Sequence, residues 1–112
     1  MLNAMTVDVE DYFHVAALAR SIDRADWDHL EYRVEGNTRR LLATFDAHGI
    51  KATFFVLGWV ARRSPALVRE IRAAGHEIAS HGMSHRLVYN QTPEEFATET
   101  RDAKALLEDI CQ

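Results

Sequence analysis

The run Ala52-Thr53-Phe54-Phe55-Val56-Leu57 restricts this chain more than any other stretch, because it is apolar or β-branched throughout and carries no charge. A half-solvated strand would alternate polar and apolar residues. An unbroken run of this length suits a strand covered on both faces, the pattern of a parallel sheet. The flanks agree. Before it, Gly36-Asn37-Thr38 opens a helix that Asn37 or Thr38 can cap. Leu41, Leu42 and Phe45 form its apolar stripe, and His48-Gly49 closes it. After it, Ser64-Pro65 starts a second helix, with serine as cap and proline in the first helical position. Leu67, Val68 and Ile71 are its buried stripe, and Gly75 is its stop.

Two further strands bracket this unit. Met5, Val7 and Val9 alternate within Leu2 to Val9, and Glu10-Asp11 ends that strand. His76 to Ser80, around Ile78 and Ala79, is the other. Thr92-Pro93-Glu94-Glu95 is a capping box that launches a last helix to about Ile110, with Phe96, Ala103, Leu106 and Leu107 facing inward. Tyr12 to Leu18 reads as one or two helical turns, and Asp23 to Asp28 as charged loop. The order strand, helix, strand, helix, strand, helix defines an α/β chain of parallel strands joined by right-handed crossovers.

In such folds ligands gather at the carboxyl ends of the strands, where the loops converge. The first strand delivers Asp8, Glu10 and Asp11 to that rim. The third delivers Ser80, His81 and, four residues on, His85. One turn of helix over residues 81–85 would aim both imidazoles the same way. Either cluster alone is a weak signal; their predicted coincidence on one rim is the physical argument for a site. Two imidazoles and one carboxylate leave room for water, the pattern of catalytic zinc, and cobalt or nickel would suit the same donors. Such an ion would polarise an amide or ester carbonyl, and a second carboxylate could take the proton from attacking water.

Composition removes other classes. The 112 residues fit one domain at most, and 47% hydrophobic with 27% charged residues is ordinary for a folded chain. A net charge of −4 with interspersed signs offers no nucleic-acid face and no membrane patch. Cys111, the single cysteine, has no disulfide partner. Met1 to Met5 lacks the basic start and apolar core of a signal peptide, and no run reaches transmembrane length, so a cytoplasmic location is expected.

Asp8 to Val15, Lys51 to Gly58, Gly75 to His81 and His81 to His85 together resemble the polysaccharide deacetylase family (carbohydrate esterase family 4, NodB-like). The likeness is to the branch found beside exosortase systems and exopolysaccharide clusters. It implies an irregular (β/α) barrel and removal of N-acetyl groups from an amino-sugar polysaccharide, giving acetate and a free amine. By position it implies Asp8 as general base and His81 and His85 as metal ligands. The family's first motif has two adjacent aspartates, the second a metal ligand, whereas Val9 stands there in this chain. Some relatives place the acid one residue later. Glu10 is then the expected third ligand, with Asp11 as the fallback. An orienting arginine and an acid histidine would fall beyond Gln112. Residues 1–112 are therefore expected to be the N-terminal part of a longer deacetylase domain, inactive alone.

Other readings are blander. His14 and His76 are expected to be structural and His29 and His48 exposed. Trp59 and Tyr89 are expected to pack rather than meet sugars, and Arg39-Arg40 and Arg62-Arg63 to be solvated. A phosphoacceptor receiver domain would need an aspartate where Ser80-His81 stand. A non-catalytic carbohydrate- or partner-binding barrel and a hydrolase of small amides are the remaining competitors.

Overall fold

A computed structural model describes all residues, 1–112. Three strands, β1 (Thr6–Val9), β2 (Thr53–Val56) and β3 (Glu77–Ser80), form one parallel sheet in the order β1-β2-β3. Four helices connect or follow them: α1 (Val34–Ala47), α2 (Gly58–Arg63), α3 (Pro65–Ala73) and α4 (Pro93–Ile110). The register aligns Val9 with Val56 and Val56 with Ser80, so the next row across the sheet is Glu10, Leu57, His81. The Leu57 amide donates to the Val9 carbonyl and the His81 amide to the Val56 carbonyl, which carries that alignment one residue past the strands. No helix is long and apolar enough to cross a membrane.

One face of the sheet carries the core. Val9, Phe54, Val56 and, just past β2, Leu57 cluster with Val60, Leu67, Val68, Ile71, Phe45 and Leu107 from the helices. Residues such as Phe54, Leu67 and Ile71 lose all solvent contact, each stabilising the fold by roughly 1.5–3 kcal/mol. The opposite face differs from expectation. Phe55 and Ala79 there are only half-buried and Asp8 is exposed. The apolar run is thus fully covered on one side and partly on the other.

Local departures have physical causes. Strand β1 starts at Thr6 rather than Leu2, because its pairing to β2 begins with Thr6 opposite Thr53. Helix α1 starts at Val34, leaving Asn37 and Thr38 inside it. Its cap is distant in sequence: Asp11 Oδ2 accepts the amides of Arg33 and Val34 at 2.6 and 2.9 Å. Leu41 lies on the flank of α1 and is 38% exposed, whereas Val34, Thr38 and Phe45 are buried. Ser64 and Pro65 do begin α3, yet the serine hydroxyl bonds to Tyr32 and Glu35 instead of capping. The Thr92–Glu95 capping box forms as expected, but Phe96 is carried outside the packed layer in the first turn of α4 and is 43% exposed. Short 3₁₀ turns occupy Tyr12–His14, Ala16–Leu18 and Arg24–His29, where the sequence suggested helical turns and loop.

Candidate metal centre

The acids and histidines meet because the aligned row ends the sheet. Glu10 and His81 flank Leu57 from strands two apart, a gap of about 10 Å that two long side chains can close from either side. Glu10 Oε2 lies 3.1 Å from His81 Nε2 and 2.8 Å from His85 Nε2. One ligand atom from each of the three residues falls within 4.8 Å of the other two. Glu10 is largely buried, its side chain 16% exposed, as are those of His85 at 18% and His81 at 26%. Both imidazoles therefore turn Nε2 toward one carboxylate oxygen, a donor set of two nitrogens and one oxygen that fits a divalent ion with an open position. Asp8 stands beside this group, its Oδ1 3.9 Å from His81 Nδ1, with a side chain 55% exposed. That separation is too long for a hydrogen bond and leaves the carboxylate free to accept a proton.

Asp11, the alternative third ligand, has its carboxylate committed elsewhere. Oδ1 accepts the Tyr12 amide at 2.9 Å, and Oδ2 accepts the two amides that open α1. It is 4% exposed. Next to Glu10, this carboxylate moors the end of β1 to the N-terminal turn of a helix whose dipole favours negative charge.

His14 and His76 are structural in the same sense. His76 Nδ1 accepts the Ala52 amide at 3.2 Å, and His14 Nδ1 accepts the Asp11 amide at 2.8 Å. Trp27 and Trp59 press on the His14 ring with centroids 4.7 Å away, so Trp59 packs, whereas Tyr89 is exposed. Burial lowers the His14 pKa from 6.5 to about 4, against the raising effect of Asp11. The unfolded imidazole titrates near 6.5 and the folded one near 4, so between those values the unfolded chain binds more protons. The stability associated with His14 is complete above about pH 6.5 and is lost as the pH falls toward 4. In the metal-free protein the urea midpoint is expected to drop between pH 7 and pH 5. The drop should be shallower in His14→Gln, and an identical slope would contradict the assignment.

The segment Gly82 to His85 is not a helical turn, contrary to the spacing argument. His85 has φ 58°, the one non-glycine residue with positive φ, and Gly82 has φ 77°. The imidazoles converge through this left-handed geometry rather than through helical periodicity. The segment is held from outside. The amides of Gly58 and Trp59, at the start of α2, donate to the carbonyls of Gly82 and Met83 at 2.8 and 2.9 Å. Ser84 Oγ donates to Glu99 of α4. Arg24 donates to the carbonyls of Ser84 and His85. Helix α2 and the role of Arg24 had no counterpart in the sequence reading.

The close approach at Gly58 has a testable consequence. A Cβ there would lie 2.9 Å from Met83 Cα, a backbone atom that cannot swing away. Gly58→Ala is expected to lower stability by about 1–3 kcal/mol. Gly36→Ala, with open space around it inside α1, should be neutral or stabilising by up to about 1 kcal/mol. The urea midpoint should fall for Gly58→Ala and not for Gly36→Ala; equal midpoints would contradict the packing at residue 58.

Comparison with known proteins adds a family and a fold. The profile described as polysaccharide deacetylase matches residues 23–112. A peptidoglycan-N-acetylglucosamine deacetylase of Bacillus cereus is 32% identical over 71 residues, 63% of this chain and 33% of that protein. A chitooligosaccharide deacetylase of Bradyrhizobium is 34% identical over 74 residues, 66% of this chain and 34% of that one. The chain thus spans about a third of the length of these curated relatives. The crystal structure of a Mycobacterium smegmatis protein assigned as a polysaccharide deacetylase superposes with a TM-score of 0.80 at 30% identity. The match covers 96% of this chain and 38% of that one, and the three parallel β/α units correspond to part of its (β/α) barrel.

Proposed function

This chain belongs to the polysaccharide deacetylase family, and on that footing we propose that it carries the metal-binding and base-bearing part of an enzyme that removes N-acetyl groups from an amino-sugar polysaccharide. The observation that carries the reading is the meeting of Glu10 Oε2 with the Nε2 atoms of His81 and His85, with the Asp8 carboxylate alongside. Glu10, His81 and His85 hold a divalent ion, zinc by donor preference, with cobalt or nickel also suited. The chemistry that ion supplies is Lewis acidity toward an amide carbonyl.

The chain's own residues do the rest of the work on this side of the substrate. Asp8 takes a proton from a water molecule as the water oxygen bonds to the acetyl carbon. The carbon–nitrogen bond then breaks, acetate leaves, and the sugar nitrogen departs as the amine once it is protonated. Burial of Glu10 leaves its carboxylate weakly screened by solvent, which would strengthen its hold on a bound cation. The family's polymeric substrates, and the resemblance to the exopolysaccharide-associated branch, support a polysaccharide of the exopolysaccharide type as substrate.

We read residues 1–112 as the N-terminal part of the domain. Both outer edges of the three-stranded sheet are unpaired and its second face is only half-covered, as suits a sheet that continues into a barrel. The test is acetate release from chitooligosaccharide and from N-acetylated exopolysaccharide. A version extended through the remaining barrel, supplied with zinc, cobalt or nickel, is expected to be active and the 112-residue chain alone inactive. Robust turnover by the chain alone would refute the partial-domain reading. An extended protein that binds metal yet releases no acetate would favour a non-catalytic binding barrel.

A further inference from the structure

Four consecutive carbonyls on the segment that presents His85 are each met by a donor from elsewhere in the chain. Those of Gly82 and Met83 accept the backbone amides of Gly58 and Trp59. Those of Ser84 and His85 accept the two terminal nitrogens of Arg24, Nη1 at 2.5 Å and Nη2 at 3.2 Å. The first pair of bonds is made by backbone. The second pair depends on a single side chain 60 residues away in sequence.

These two carbonyls bracket the one left-handed non-glycine residue of the chain, His85 at φ 58°. Left-handed backbone is uncommon for any residue with a side chain and costs free energy that the contacts around it offset. The same conformation delivers His85 Nε2 to 2.8 Å from Glu10 Oε2. Arg24 is itself fixed. Its guanidinium lies 4.6 Å from the centroid of the buried Trp27 ring, and Asp23 caps the turn that presents it by accepting the Ala25 amide. A guanidinium presents parallel N–H groups in a rigid fork, which suits two neighbouring carbonyls as a single ammonium does not.

We propose that Arg24 is a positioning residue for the metal centre: by clamping the carbonyls of Ser84 and His85 it holds His85 in the left-handed conformation that aims its imidazole at the ion. The inference rests on reading Glu10, His81 and His85 as the ligand set, and it assigns Arg24 no contact with substrate. It acts as an outer partner of a metal ligand, through backbone rather than through the ring.

The test is zinc affinity, measured by competition with a chromophoric chelator, together with the cobalt absorption spectrum. Wild type, Arg24→Met, Arg24→Lys, His85→Ala and Arg39→Met are compared. Arg39, on α1 and paired with Glu70 of α3, controls for loss of one positive charge. Arg24→Met is expected to bind zinc about 10–100-fold more weakly, the usual cost of losing an outer-shell partner. Its cobalt spectrum should move toward that of His85→Ala. Arg24→Lys should recover little of the loss, and Arg39→Met should match wild type.

If both Arg24 variants bind zinc within twofold of wild type while His85→Ala does not, the proposal falls and the ligand assignment stands. If wild type binds no zinc, or His85→Ala binds as tightly as wild type, the ligand assignment falls and takes this proposal with it. Circular dichroism of the metal-free forms accompanies each titration. Should Arg24→Met fail to fold, Arg24→Lys carries the comparison. Loss of fold in both would overturn the positioning role in favour of a purely structural one.

Discussion

Asp8→Asn, made in the extended enzyme, is expected to lower kcat by about 10²–10⁴-fold, the range for removal of a general base, while zinc affinity stays within a few-fold of wild type. The separation of the two effects follows from geometry. Asp8 Oδ1 is 3.9 Å from His81 Nδ1, beyond hydrogen-bond range, so the imidazole does not depend on that carboxylate for its orientation. Asparagine keeps the shape of the side chain but loses its negative charge and with it the capacity to take a proton. Zinc affinity reduced 10–100-fold would instead make Asp8 an outer partner of His81.

The second large effect is on stability. Asp11→Ala removes the acceptor of three backbone amides, those of Tyr12, Arg33 and Val34, at a residue that is 4% exposed. Hydrogen bonds to a charged acceptor contribute roughly 1.5–3 kcal/mol each, and stranded buried donors cost about 1–3 kcal/mol. Two of these bonds are only partly buried and the third, from Val34, is buried, so a loss of about 3–5 kcal/mol is expected. Much of a small domain's stability lies in that range. Asp11→Asn keeps one carbonyl oxygen for the α1 amides and should lose about half as much. Urea unfolding of the metal-free protein measures both. A midpoint for Asp11→Ala equal to that of wild type would mean that α1 is not capped from β1.

Asp11 also shows where sequence reading succeeds and fails here. Elements whose cause is local were legible: β2 from its apolar run, α3 from Ser64-Pro65 and its stripe, and α4 from the Thr92–Glu95 box. Their parallel alternation was enough to bring Glu10 and the two histidines to one rim. Elements whose cause is distant were not legible. The start of α1 is set by Asp11 across 22 residues, so the nearby Asn37 and Thr38 gave the wrong cap. The geometry of His85 comes from Arg24 and α2, and neither Ser84 nor Arg86 signals positive φ. The i, i+4 spacing of the histidines pointed to a pair that the structure does bring together, but through left-handed backbone at His85 rather than through a helical turn. Asp11 was ambiguous as a ligand because composition cannot tell a carboxylate facing solvent from one already satisfied by amides.

The central claim is that Glu10, His81 and His85 hold a single divalent ion, and a zinc titration followed through the imidazole NMR resonances tests it most directly. The chain has six histidines, two at the site and four elsewhere. The account predicts that one equivalent of zinc shifts the rings of His81 and His85 while those of His14, His29, His48 and His76 stay in place, and that Glu10→Ala abolishes the response. Rings of His81 and His85 unmoved at saturating zinc, or a response unaltered in Glu10→Ala, would contradict it.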